Sequence, residues 1–380
     1  MNAEGWELVG LYDPSATGAD ERWALLQYLT ARGATLEQMV QAHRLGMLPA
    51  VAGDLVLERE SSTLSVDEVA DRCAVAVERV QRLLLALGLP VATDSKLPKD
   101  FETLMASFEQ GAILMGEDAI LAFTRVLGAA ATTIAEAAVA LFYAELGPGT
   151  GREGPDEVAR ARVSERATLA FATVPEVLSA ALVAQFDRAV RRAVLTRGWA
   201  SPTEMQDEAG AVARETIALG FVDLVGSTAW AEGLSLRDHS VALSRFESAA
   251  WSSAVLAGGR VVKMIGDEVF FAAPSADAAC RIGTKVCRAA MEDPLLPPAR
   301  GAVGYGMVTA REGDYFGPLV NLVSRLVRVA SPGAIVATQE AAEALSADNW
   351  TLRELDPQSI MGLGSPVRVF AVRGADSQPR

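Results

Sequence analysis

From residue 20 to about residue 199, apolar residues recur at the three- and four-residue spacing of helices. The stretch 21–32 places Trp23, Leu26 and Leu29 on one face, and Gly33 stops it. Residues 35–45 predict a second short helix. Ser65 with Glu68 forms a capping box ahead of 65–72, and 75–88 follows, ended by Gly88 and Pro90. Helix, short turn, helix is the outline of a helix-turn-helix over residues 1–90. Further helices are predicted at 99–109, 117–127, 130–146, 156–171 and 175–197, with a glycine-rich loop at 147–155. That loop lacks the Lys-Ser/Thr ending of a P-loop.

From residue 216 the texture changes. Short β-like runs at 217–222, 260–264, 268–272, 300–308 and 334–338 alternate with helical runs at 237–256 and 276–291. The expectation is therefore a multidomain chain. An all-α domain spans 1–197, with a helix-turn-helix-like part at 1–90 and a helical bundle at 98–197. A linker at 198–215 leads to an α+β domain at 216–373, and a tail occupies 374–380.

Composition narrows the function. The 380 residues hold 34 Lys and Arg against 48 Asp and Glu, a net charge of −14, and half are hydrophobic. Residues 1–90 alone carry 13 acidic and 7 basic side chains. A recognition helix needs cations facing phosphate, so a helical packing unit is the better reading and no nucleic-acid partner is expected. Three cysteines make no disulfide framework; Cys280 and Cys287 read as buried small hydrophobes. The first residues lack a basic then apolar leader. The most apolar stretch, 128–146, contains Glu136 and is expected to be a buried helix, not a membrane span. The reading is of a soluble cytoplasmic protein with no membrane partner.

Chemistry concentrates in the second half. In Phe221-Val-Asp-Leu-Val-Gly-Ser-Thr228 an apolar run ends in Asp223, and Gly226 turns the chain toward a helix. A carboxylate beside free backbone amides suits a metal-bound polyphosphate. Next, two apolar runs flank Ile265-Gly-Asp267 in the shape of a hairpin turn, yet Lys263 sets a charge within an apolar strand, where it would need a partner if buried. Then Asp314 lies shortly before Asn321 and Arg325. The last two are four apart on an apolar helix, so an amide and a guanidinium project from one face.

These segments resemble the catalytic domain of class III nucleotidyl cyclases, specifically the bacterial adenylate cyclases. Asp223, Lys263, Asp267, Asp314, Asn321 and Arg325 fill the six functional positions in order. The resemblance implies a ferredoxin-like βαββαβ core that pairs head to tail into a homodimer with shared active sites. It implies that Asp223 and Asp267, with the Leu224 carbonyl, hold two Mg²⁺ or Mn²⁺ ions per site. The Gly226, Ser227 and Thr228 backbone would face phosphate. Lys263 and Asp314 would read adenine, Asn321 would orient the ribose, and Arg325 would meet the α-phosphate. Ser227 stands where many relatives carry Phe. The implied reaction converts ATP to 3′,5′-cyclic AMP and pyrophosphate.

Diguanylate cyclases would show a GG(D/E)EF hairpin, which Ile265-Gly-Asp-Glu-Val is not. The alternative is a catalytically silent nucleotide-binding regulator, but such domains lose one of the six positions. No separate general base is evident, and His239 is expected to be exposed. The helical half more loosely resembles the regulatory domain of mycobacterial-type soluble adenylate cyclases, so a small-molecule or pH input is expected there. Residues 216–380 hold 17 acidic and 15 basic side chains, so most of the negative charge lies in the helical half.

Overall fold

The structure is a computed structural model. It describes residues 3–60, 63–91, 96–146, 156–197, 213–360 and 364–375. The loop expected at 147–155 lies outside the described residues, as does most of the expected linker and tail. The chain forms two compact units, Met1–Val190 and Arg191–Arg380.

The first unit is built from α1 (Ala3–Leu8), α2 (Ala19–Ala31), α3 (Leu36–Arg44), α4 (Val51–Glu60), α5 (Val66–Cys73), α6 (Val77–Ala86), α7 (Phe101–Met115), α8 (Glu117–Leu146), α9 (Glu157–Phe171) and α10, which runs from Val174 to Arg197 and so into the second unit. It is not wholly helical: β1 (Thr63–Leu64) pairs with β2 (Leu97–Pro98). Capping boxes start α3 at Thr35 and α5 at Ser65, each satisfying orphan amides at the helix start. Two separate apolar cores form. Trp6, Leu25, Leu26, Leu29 and Met39 close one, and Val69, Leu83, Leu84, Met105 and Phe108 close the other.

Two expectations fail here. The helices predicted at 117–127 and 130–146 are one helix, α8. Gly128 does not break it; instead it lets the backbone of Leu87 approach so closely that a Cβ would stand 2.5 Å from the Leu87 carbonyl oxygen. Nor is the apolar stretch 128–146 buried over its described part. Val139 and Leu141 are each 55 % exposed. On α10, Val177, Leu182, Val183 and Phe186 are exposed as well. Glu117–Leu141 and Glu157–Arg191 are long and apolar enough to cross a membrane by length and composition alone.

The second unit holds β3 (Ala213–Leu224), α11 (Ser227–Glu232), α12 (Leu236–Leu256), β4 (Arg260–Ile265), β5 (Glu268–Ala273), α13 (Ala276–Glu292), β6 (Ala299–Arg311), β7 (Asp314–Phe316), α14 (Pro318–Leu326), β8 (Ile335–Thr338), α15 (Gln339–Glu343), β9 (Trp350–Glu354) and β10 (Val369–Gly374). Residues 213–215, expected as linker, open β3. The sheet runs β4-β5-β3-β6-β8-β10-β9, with β7 on β6. Neighbours are antiparallel except β6 and β8.

Alternation along each strand gives this sheet two apolar faces. Val222, Phe271 and Val303 pack with residues of α12 and α13. Leu219, Phe221, Phe270 and Ala302 pack with Val323 and Leu326 of α14. Cys280 and Cys287 are fully buried, as expected, and burial pushes both thiols up, Cys287 to about 12.

Candidate active site

Three strand ends meet at one edge of the second unit. Asp223 is the penultimate residue of β3. Its register partner on β5 is Glu268, and its partner on β6 is Arg300. Antiparallel pairing thus sets two carboxylates and a guanidinium in one row. Asp267 joins them from the β4–β5 turn, where Gly266 adopts φ 65°. The Leu224 amide donates to the Asp267 carbonyl at 3.3 Å, tying the two acidic segments together.

The electrostatics follow from this crowding. Burial, then the neighbouring Asp267, hold the Asp223 carboxyl above its usual range, and Arg300 opposes them. Arg300 Nη2 lies 3.5 Å from Asp223 Oδ2. Its buried Nε has no hydrogen-bond partner. Glu268 is pushed up to about 7 by burial first, then by Asp223 and Asp267.

Beyond Leu224, Gly226 takes a left-handed conformation and hands the chain to α11, so Ser227 and Thr228 form its first turn. That positive φ fits glycine.

Lys263 is exposed, so burial does not force a partner on it, yet its Nζ lies 2.5 Å from Asp314 Oδ2. In sheet order β4 and β6 are separated by β5 and β3. The β6–β7 hairpin must therefore reach over the sheet face to deliver Asp314. Asn321 and Arg325 lie on exposed positions of α14, which Pro318 opens. So the ten predicted residues fall into three groups: Asp223, Leu224 and Asp267 with the turn 226–228; Lys263 with Asp314; and Asn321 with Arg325.

A family model for the adenylate cyclase regulatory domain matches residues 5–209, more than half of the chain. The chain belongs to the adenylate cyclase family. An uncharacterized protein of Mycobacterium tuberculosis strain H37Rv is 31 % identical over 379 residues, covering 97 % of this cyclase and 94 % of that protein. The adenylate cyclase of Glutamicibacter nicotianae is 27 % identical, covering 81 % of this chain and 79 % of its own. A pH-sensitive adenylate cyclase of M. tuberculosis strain CDC 1551 is 26 % identical over 96 % of this chain and 90 % of its own. The crystal structure of the adenylyl cyclase CyaB from P. aeruginosa aligns with 44 % of this chain and 97 % of its own, at 22 % identity and a TM-score of 0.39.

Sequence reasoning missed Arg300 and Glu268 in this cyclase. Each opens an apolar strand, where a lone charge reads as a strand end; only the register shows that both flank Asp223. His239, expected to be exposed, is partly covered: its ring lies 5.2 Å from that of Trp230.

The cyclase's acidic cluster fits a hard divalent cation. Two carboxylates close enough to repel offer oxygen donors only, and mutual repulsion at close range is relieved by a cation between them. Among the described residues no group of three or more His, Cys, Asp or Glu side chains is arranged as a metal cage. A site of two carboxylates would suit Mg²⁺, which commonly keeps several waters and is bound through one or two carboxylates.

Proposed function

We propose that the second unit converts ATP to 3′,5′-cyclic AMP and pyrophosphate, using two Mg²⁺ or Mn²⁺ ions held by Asp223, Asp267 and the Leu224 carbonyl. The observation that carries this reading is the placement of Asp223 at the end of β3 beside Asp267 in the β4–β5 turn, the two segments tied by the 3.3 Å bond from the Leu224 amide to the Asp267 carbonyl. When bound, the metals would acidify the ribose 3′-hydroxyl and neutralise phosphate charge.

The chain's own residues do the rest. Backbone amides of 226–228 face the polyphosphate, and Arg300, 3.5 Å from Asp223, adds positive charge at the same edge. Lys263 donates to adenine N1 and Asp314 accepts from the 6-amino group. Guanine reverses that pattern, so the pair selects ATP. Asn321 orients the ribose, and Arg325 balances charge growing on the α-phosphate.

The working unit in this reading is a homodimer, with Asp223 and Asp267 from one chain facing Lys263, Asp314, Asn321 and Arg325 of the other. The succession β3-α12-β4-β5-α13-β6, with strand order β4-β5-β3-β6, supports the ferredoxin-like description. Residues 213–374 are the catalytic part, 198–212 the linker and 1–197 the regulator. The charges Glu136 on α8 and Asp187 and Arg188 on α10 support a partner-covered regulator over a membrane span. The cytoplasm supplies the ATP.

One feature of the regulator supports an input. A cavity of about 600 Å³ is lined by Leu45, Met47, Val51, Val139 and Phe171, and suits an apolar small molecule. Separately, Arg22 grips Glu157 with two bonds of 2.7 Å and lies 3.1 Å from His43 Nδ1, which ties α2, α3 and α9 together. DNA binding is disfavoured, since Arg79 pairs with Glu109 and Glu117, and Arg82 with Glu117.

The test is purified chain with ATP and Mn²⁺, scored for cyclic AMP. ATP bound without cyclic AMP above background would contradict the reading.

A further inference from the structure

Arg260 and Lys263 are three residues apart on β4, a spacing that puts side chains on opposite faces of a regular strand. Here they share a face. Arg260 pairs with Ala272 and Lys263 with Phe270, two positions apart on β5, because Val262 is an extra residue in β4. Such a bulge re-aims the side chains after it.

The shared face is where the β6–β7 hairpin arrives. Arg260 Nη2 donates to the Gly313 carbonyl at 2.8 Å, and its guanidinium lies 4.9 Å from the centre of the Tyr315 ring. The Arg260 and Glu215 side chains both lie close to the Tyr315 hydroxyl. Arg260 thus grips the residues on both sides of Asp314. The turn it holds is strained. Glu312 and Gly313 have φ of 54° and 80°, both left-handed, and a non-glycine residue pays for that conformation. Asp314 is pinned in turn: Oδ1 accepts from the Tyr315 amide at 2.8 Å, which leaves Oδ2 for Lys263.

We propose that Arg260 is a positioning residue for purine selection, holding the β6–β7 turn so that the Asp314 carboxylate stands opposite Lys263. It does not touch the base. It acts through Gly313 and Tyr315, and the inference rests on Lys263 and Asp314 being the base readers.

The experiment measures, in the full chain with Mn²⁺, KM for ATP and the inhibition constant of GTP against ATP turnover. Their ratio is compared in wild type, Arg260→Ala, Arg260→Lys and Lys263→Ala. Lys263→Ala should collapse the preference for ATP. Arg260→Ala should reduce it by about tenfold, mainly through KM. Arg260→Lys should fall between Arg260→Ala and wild type, since an ammonium can still reach one carbonyl but cannot cover the ring as a guanidinium does.

If Lys263→Ala leaves the ratio unchanged, the base-reading assignment fails and takes this one with it. If Lys263→Ala collapses the ratio while Arg260→Ala loses turnover with the ratio kept within twofold, the base readers stand and the positioning role is overturned. Should Arg260→Ala not fold, Arg260→Lys decides: a wild-type ratio overturns the proposal, and a reduced one supports it.

Discussion

The two units solve the burial problem in opposite ways. The sheet unit covers both faces of its sheet with its own helices, and its polar groups sit at strand ends and on one hairpin. The helical unit closes two small cores yet leaves Val177, Leu182, Val183 and Phe186 of α10 in water. A monomer rarely keeps such a face uncovered. The contrast lies in the packed cores and not in the whole surface: the sheet unit still exposes Trp251, Leu256 and Met307, so each unit offers apolar surface to a second copy. In the proposed reading, chemistry belongs to the sheet unit and control to the helical one.

The sharpest way to break this division is to remove chemistry without touching the fold. Asp267→Ala should lower cyclic AMP formation by roughly a thousandfold, about 4 kcal/mol in the barrier. The melting temperature of the metal-free protein should stay level or rise, since a crowded carboxylate is lost. An active Asp267→Ala protein would remove the acidic cluster from the mechanism.

The opposite cut is Phe186→Asp, which charges a side chain that is 68 % exposed. If α10 is covered by a second copy, sedimentation should show the dimer weakened by at least tenfold, with turnover falling in step. An unchanged dimer would mean that this face serves another purpose.

Gly128→Ala probes the helical unit's interior. A Cβ would meet the Leu87 backbone at 2.5 Å, and backbone cannot step aside cheaply. The expected cost is about 2 kcal/mol, read by denaturant unfolding. The sheet unit's transition should be unaffected.

The smallest effect concerns Glu268. Its folded pKa of about 7 lies above the ordinary carboxylate range. The fold therefore favours the protonated form. That contribution is fully present below about pH 4.5 and is lost as pH rises through about 7. Glu268→Gln should accordingly raise the melting temperature of the metal-free chain at pH 8 by several degrees, about 1–2 kcal/mol. At pH 4 the two proteins should melt together.

Much of the candidate site was legible because its residues are misfits. Lys263 is a charge within an apolar strand, and Asn321 and Arg325 sit at helical spacing on an otherwise apolar helix. Arg300 and Glu268 obey the local rules for strand ends, so only the register across β5, β3 and β6 reveals them. Arg260 is hidden for a further reason: strand alternation sets it opposite Lys263, and the extra residue at Val262 is a tertiary feature without a sequence signature. Gly128 misled because a glycine in a helix reads as a break until its neighbour is known.

The central claim is that catalysis needs metal-holding carboxylates from one chain and the α14 arginine of another. Asp267→Ala and Arg325→Ala damage opposite sides of such a site. Each protein alone should make almost no cyclic AMP, and coexpressed mixed dimers should regain a sizeable fraction of wild-type turnover through their one intact site. Mixed dimers that form and remain silent would contradict the account.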